Sequence, residues 1–93
     1  MPFVYILRCA DDTFYVGHTD DVASRVRTHN DGFGSRYTAV RRPVQVVYSE
    51  VCATLQAAVN RERQLKRWSA KKKAALVAGN LASLKSLSKR HTR

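Results

Sequence analysis

At 93 residues the chain is sized for one small domain, and its 44% hydrophobic content and eight aromatic residues exclude wholesale disorder. The longest apolar run, residues 3–7, is too short for a membrane span, and the distant cysteines Cys9 and Cys52, with no CxxC, exclude a disulfide scaffold and a zinc ribbon. The net charge of +10 is one-sided: residues 1–50 hold six basic and six acidic residues, residues 51–93 hold eleven basic and one acidic, which points to a polyanionic partner, nucleic acid before an anionic membrane surface.

In chain order, residues 3–9 alternate as a strand, with Phe3, Tyr5, Leu7 and Cys9 on one face and Val4, Ile6 and Arg8 on the other. Asp11-Asp12 signals a turn, and residues 14–18 read as the returning strand of a hairpin. Thr19 or Asp20 can cap a first helix on which Val22, Arg25, Val26 and His29 share a face, and Gly32 supplies its stop. Residues 33–42, rich in Gly, Ser and Arg, read as a loop, and Pro43 opens a strand through Val44, Val46, Val47 and Tyr48. Thr54 caps a longer helix to about Trp68, Ser69 caps another to Ala78, and Gly79 closes it. Asn80 can cap a last short helix with Leu81, Leu84 and Leu87 at helical spacing, before a basic tail. The expected class is α/β (α+β): a small, three-stranded, mainly antiparallel sheet flanked by helices, in the order β-β-α-β-α-α-α. Residues 1–80 form the expected domain, and 81–93 a short helix and basic tail.

Glu62 stands out as the only acid after Glu50, flanked by Arg61 and Arg63. On a helix, Leu55, Ala58, Val59, Leu65 and Ser69 fall within about 60° of it, so it lies on the apolar stripe. A carboxylate facing inward is costly unless it is paired or holds a metal. Pairing with Lys66 at i+4 or with the first helix is one reading, and a site for one Mg²⁺ is the other. Arg25 and His29 form an i, i+4 pair: Arg forks onto phosphate oxygens, and His exchanges protons near neutral pH. A bland reading pairs Arg25 with Glu62 and satisfies His29 at the helix end. Tyr5 and Tyr15 are strand aromatics whose relation depends on the hairpin. A two-residue turn puts them on opposite faces of the sheet; a three-residue loop or bulge puts both on one face, with Tyr15 opposite Cys9.

Phe3-Val4-Tyr5 followed by Tyr15-Val16-Gly17, then Arg25, His29 and a later helical Glu62, resembles the GIY-YIG nuclease superfamily. The stretch Arg61-Glu62-Arg63-Gln64-Leu65-Lys66-Arg67-Trp68 with Lys71-Lys72-Lys73 resembles its small stand-alone bacterial members. The first motif's Gly is Phe3 here, and His18 stands where some members have Lys. The resemblance implies a divalent-metal-dependent endonuclease hydrolysing phosphodiester bonds in nucleic acid, DNA before RNA, with low sequence specificity. It implies Tyr5, Tyr15, Arg25 and His29 as catalytic residues and Glu62 as ligand of one Mg²⁺ or Mn²⁺, with His18 and Asn80 as accessory residues. Either Tyr5 or His29 is the general base, and Arg25 with the metal is expected to lower the Tyr5 pKa. Arg61, Arg63, Lys66, Arg67, Lys71, Lys72 and Lys73 are the expected nucleic-acid contacts. A cytoplasmic setting, DNA repair among the roles, no membrane and a protein partner for targeting complete the expectation. The alternatives are a non-catalytic nucleic-acid-binding module on the same fold, and an interaction protein whose basic helices dock on an acidic surface.

Overall fold

The computed structural model describes residues 1–79; the helix expected after Asn80, and Asn80 itself, lie outside the described residues. Strands β1 (Phe3–Arg8) and β2 (Phe14–Thr19) are followed by helices α1 (Val22–Asn30) and α2 (Arg36–Ala39), strand β3 (Gln45–Val51), and helices α3 (Leu55–Lys66) and α4 (Ala70–Val77). The three strands form one antiparallel sheet in the order β2-β1-β3, so β1 is central and β2 is an edge.

Strand alternation divides the core in two. Val4, Ile6 and Val16 pack with Ala58 and Leu65 of α3 and Leu76 of α4. Tyr5, Leu7, Cys9 and Val44 pack on the other face, against Tyr15 and, from α1, Val22 and Val26. Both cysteines are free and buried, consistent with small apolar packing residues.

Each helix begins on a side-chain cap. The Asp21 carboxylate accepts the Ser24 N–H at 3.0 Å, Thr54 accepts from Ala57 at 3.0 Å, and Ser69 accepts from Lys72 at 3.1 Å. The first cap is Asp21, not Thr19 or Asp20, because β2 runs on through Thr19. Gly32 and Gly79 follow α1 and α4 at φ +89° and +72°, where a side chain would be strained. The longer helix ends at Lys66. The expected loop at 33–42 contains α2, capped by Ser35, whose hydroxyl accepts the Thr38 N–H at 3.1 Å. Four helical residues are too few to show a periodic pattern in sequence.

Candidate active site

The hairpin register decides whether the two tyrosines meet. Cys9 N–H donates to the Thr13 carbonyl and Asp12 N–H to the Cys9 carbonyl, each at 2.9 Å, closing a loop over Ala10, Asp11 and Asp12. Asp12 takes φ +66°, the left-handed residue that three-residue hairpin loops use. Tyr5 then pairs with Gly17 and Tyr15 with Leu7. Both tyrosines therefore share a face. The expected partner of Tyr15, Cys9, is corrected to Leu7, because the loop begins one residue earlier than Asp11.

Gly17 explains how Tyr5 reaches outward from the central strand. A Cβ at position 17 would lie 2.5 Å from the Tyr5 hydroxyl oxygen, so the ring passes directly over the glycine. Its oxygen comes to 3.0 Å from His29 Nε2 at the end of α1. His29 Nδ1 lies 2.8 Å from Thr38 Oγ1 of α2. Gly34 allows the chain to pass close over that ring; a Cβ there would collide with Nδ1. Tyr5 and His29 are each 1% exposed. The Tyr15 ring meets His29 edge-on at 5.0 Å between centroids and stacks on Tyr37 at 6.1 Å. The Arg41 guanidinium sits 3.8 Å above Tyr37 and pairs with Asp11 at 3.0 Å.

Electrostatics follow from this enclosure. Burial raises the Tyr5 hydroxyl well above the ordinary tyrosine value, and Tyr15 adds to the rise; Arg25 opposes it and does not prevail. Arg25 lowers the Tyr5 value, as expected of its charge, against the larger effect of burial. Burial, then the Arg25 charge, lowers His29, so the imidazole is neutral at neutral pH.

Glu62 approaches from the opposite face. His18 pairs with Val4 across β2 and β1, which turns it toward α3. Its Nδ1–H donates to Glu62 Oε1 at 2.6 Å, and Lys66 Nζ donates to Oε2 at 2.8 Å. The Glu62 side chain is 17% exposed. Burial pushes its carboxyl up, but the bonds from Lys66 and His18 outweigh this and hold it below its ordinary value. The i+4 pairing with Lys66 is thus present, and among the described ion pairs Glu62 has no partner in Arg25. Leu55, expected on the same stripe, is 61% exposed, whereas Ala58 and Leu65 are buried. Leu55 instead borders a shallow depression of about 310 Å³ shared with His18, Thr19 and Arg25. There the two faces meet, at the rim beside β2. Both Arg25 and Glu62 bear electrostatically on Tyr5.

The expected basic contacts separate into three kinds. Arg61 binds Glu50 at 3.1 Å and Gln64 at 2.8 Å, and lies over Trp68. Lys66 serves Glu62, Lys72 sits 4.2 Å over the Trp68 ring, and Lys73 is half-buried with its ammonium lowered by desolvation. Arg63, Arg67 and Lys71 are exposed, with no ion pair among the described residues. Sequence reasoning missed Thr38, Gly34 and Tyr37. The signal for the first was Ser35, a capping residue three positions before it.

The three-stranded sheet and its flanking helices are those of a GIY-YIG domain, whose catalytic-domain family profile matches residues 1–75. The chain belongs to the GIY-YIG family. It is similar to small bacterial UPF0213 proteins: one from Bacillus pumilus is 45% identical over 71 residues, covering 76% of this chain and 72% of the relative. One from Staphylococcus aureus is 45% identical over 75 residues, covering 81% and 92%. The solution NMR structure of a UPF0213 protein from Bacillus halodurans is 36% identical, with a TM-score of 0.55 over 86% of each chain. Membership supports a nuclease-like function with nucleic acid as substrate. Among the described residues no helix is long and apolar enough to cross a membrane.

Proposed function

We propose that the chain is a divalent-metal-dependent endonuclease of low sequence specificity acting on DNA. The observation that supports this reading is the enclosed Tyr5–His29 pair set beside a depression lined by Arg25 and by His18, which is bonded to Glu62. His29 is buried and both of its ring nitrogens are engaged, by Tyr5 and by Thr38. In this reading it acts through Tyr5, the two forming a relay that serves as the base. As a water oxygen bonds to phosphorus, its proton passes to the Tyr5 oxygen while the Tyr5 proton passes to His29 Nε2. The bond from phosphorus to the leaving oxygen breaks, and that oxygen takes a proton from solvent. The relay avoids forming a free tyrosinate, which burial disfavours. Arg25 neutralises charge growing on the phosphoryl oxygens. Tyr15, edge-on to His29, orients the phosphate or the water.

Glu62 would hold one Mg²⁺ or Mn²⁺, which supplies Lewis-acid stabilisation of the leaving oxygen when bound. The donor set fits: Mg²⁺ accepts one hard carboxylate and fills its shell with water and phosphate oxygens. Lys66, 52% exposed on a flexible stem, is able to release Oε2, and His18 steadies the other oxygen.

Glu62→Gln tests the reading. Cleavage of a DNA duplex or branched DNA in Mg²⁺ should be abolished, while binding without metal stays at wild-type strength. Both partners of Glu62 are at least a third exposed, so the loss should cost only about 1 kcal/mol and lower Tm by about 4–8 °C. A variant that still cuts with Mg²⁺ makes Glu62 a strut. A wild-type protein that binds DNA and cuts nothing in Mg²⁺ or Mn²⁺ leaves the non-catalytic module as the function.

A further inference from the structure

We infer that Thr38 is a positioning residue for this site: its hydroxyl fixes His29 in the tautomer whose Nε2 is free to take the Tyr5 proton. The inference rests on the hydrolytic reading only for its effect on rate; the tautomer is inferred from the hydrogen-bond chain alone. That chain runs from Tyr5 to His29 at 3.0 Å, from His29 Nδ1 to Thr38 Oγ1 at 2.8 Å, and from Thr38 to Ser35.

A neutral imidazole carries one N–H, and its other nitrogen only accepts. Its far neighbour decides which. The Thr38 hydroxyl donates to the Ser35 carbonyl at 3.3 Å, and a carbonyl only accepts. Placing the one hydrogen of Thr38 there, rather than on Nδ1 at 2.8 Å or the Ser35 hydroxyl at 2.9 Å, makes Thr38 Oγ1 the acceptor of the His29 Nδ1–H. Nε2 is then bare and accepts from the Tyr5 O–H. In the opposite polarity Nε2 would already carry a hydrogen and could take no proton from Tyr5. Thr38 would also have to turn its hydrogen from the Ser35 carbonyl to Nδ1.

The surrounding chain is built to hold this arrangement. Thr38 is fully buried on a helix of only four residues. Ser35 caps that helix, and its hydroxyl lies 2.9 Å from Thr38 Oγ1 as well as accepting the Thr38 N–H. Gly34 lets this segment press against the imidazole at Nδ1, where any Cβ would collide. None of the buried polar side-chain atoms in the described residues lacks a partner, so the chain is satisfied from end to end.

The test uses Thr38→Val, which keeps the shape and removes the hydroxyl, and Thr38→Ser, which restores it. The readouts are the ¹⁵N chemical shifts of His29 and single-turnover cleavage of DNA in Mg²⁺. In the wild-type protein at neutral pH, Nδ1 should be the protonated nitrogen. In Thr38→Val the tautomer should shift toward protonated Nε2, and kcat should fall about 10–100-fold with KM and metal-free DNA affinity unchanged. Thr38→Ser should return both readouts toward wild type. Protonated Nε2 in the wild-type protein overturns the inference, even if Thr38→Val does not fold. So does a folded Thr38→Val with wild-type tautomer and kcat. A wild-type protein that shows the Nδ1–H tautomer but cuts no DNA would count against the hydrolytic reading and leave the tautomer assignment standing.

Discussion

Gly17 and His29 show how single residues set the chemistry. Glycine at 17 is the gap through which a tyrosine on the central strand reaches a histidine on a helix. Gly17→Ala should push the Tyr5 ring aside, cost about 1–3 kcal/mol by overpacking, and remove the bond to His29. Urea unfolding would measure the first and the His29 ¹⁵N shifts the second; a variant unchanged in both contradicts the close approach. His29 also makes stability depend on pH. Its folded value is lowered from an ordinary 6.5, so the unfolded chain takes up the proton first as pH falls. Its contribution is complete above 6.5 and is lost as pH falls through the folded value. Glu62, lowered from 4.5, acts in the same direction in a more acidic window. The urea midpoint of the wild-type protein should therefore drop between pH 7.5 and 5.5. His29→Gln should flatten that dependence, and an equal slope in both proteins would show that His29 is not the group responsible.

Among the secondary elements, strands and long helices were legible in sequence because alternation and caps are local signals: β1, β2, α3 and α4 lie within a few residues of expectation. The hairpin register was legible only in part. Which tyrosine faces which residue depends on Asp12 taking a left-handed conformation, and Asp-Asp alone does not specify that. Helix α2 was not legible, and with it went Thr38 and Tyr37. A four-residue helix is held by its cap and by His29 and Tyr15 from elsewhere in the chain, which no local pattern records. Asn30 shows the same non-local logic. Its Oδ1 accepts the Val44 N–H at 2.7 Å, and its Nδ2 donates to the Val44 carbonyl at 3.0 Å. The end of α1 is thereby pinned to the segment leading into β3, closing the stretch that carries α2. Asn30→Ala leaves two half-buried backbone groups unpaired. It should cost about 1–3 kcal/mol and speed amide exchange selectively at Thr38 and Arg41. Exchange raised uniformly across the sheet would instead indicate global destabilisation alone.

For the molecule as a whole, the charge asymmetry visible in composition becomes a division between the two faces of the sheet. The neutral first half carries Tyr5, Tyr15, Arg25 and His29; the basic second half carries α3 and α4 on the other side. Not every lysine and arginine there is free for a polyanion, since Arg61, Lys66 and Lys72 have partners within the protein. A salt titration on duplex DNA should give a log K against log salt slope of about −4 to −5 if about five phosphates are bound. Replacing Arg63, Arg67 and Lys71 with Gln should flatten it by about 2–3, roughly 0.9 per lost contact. An unchanged slope would place the binding surface elsewhere.

The edge of β2, unpaired among the described residues, gives this division a directional meaning. The sheet stands between the basic helices and the tyrosines, and His18 with Glu62 occupies the margin where the sides adjoin. A polyanion bound along α3 and α4 would have to bend around that margin to bring a phosphate to Tyr5. Under the proposed hydrolysis, the domain would work less like a clamp than like a blade mounted at the end of a guide rail. It would then favour a backbone supple enough to turn the corner: a nick, a gap or a branch point offers that freedom, and a straight, fully paired helix resists it.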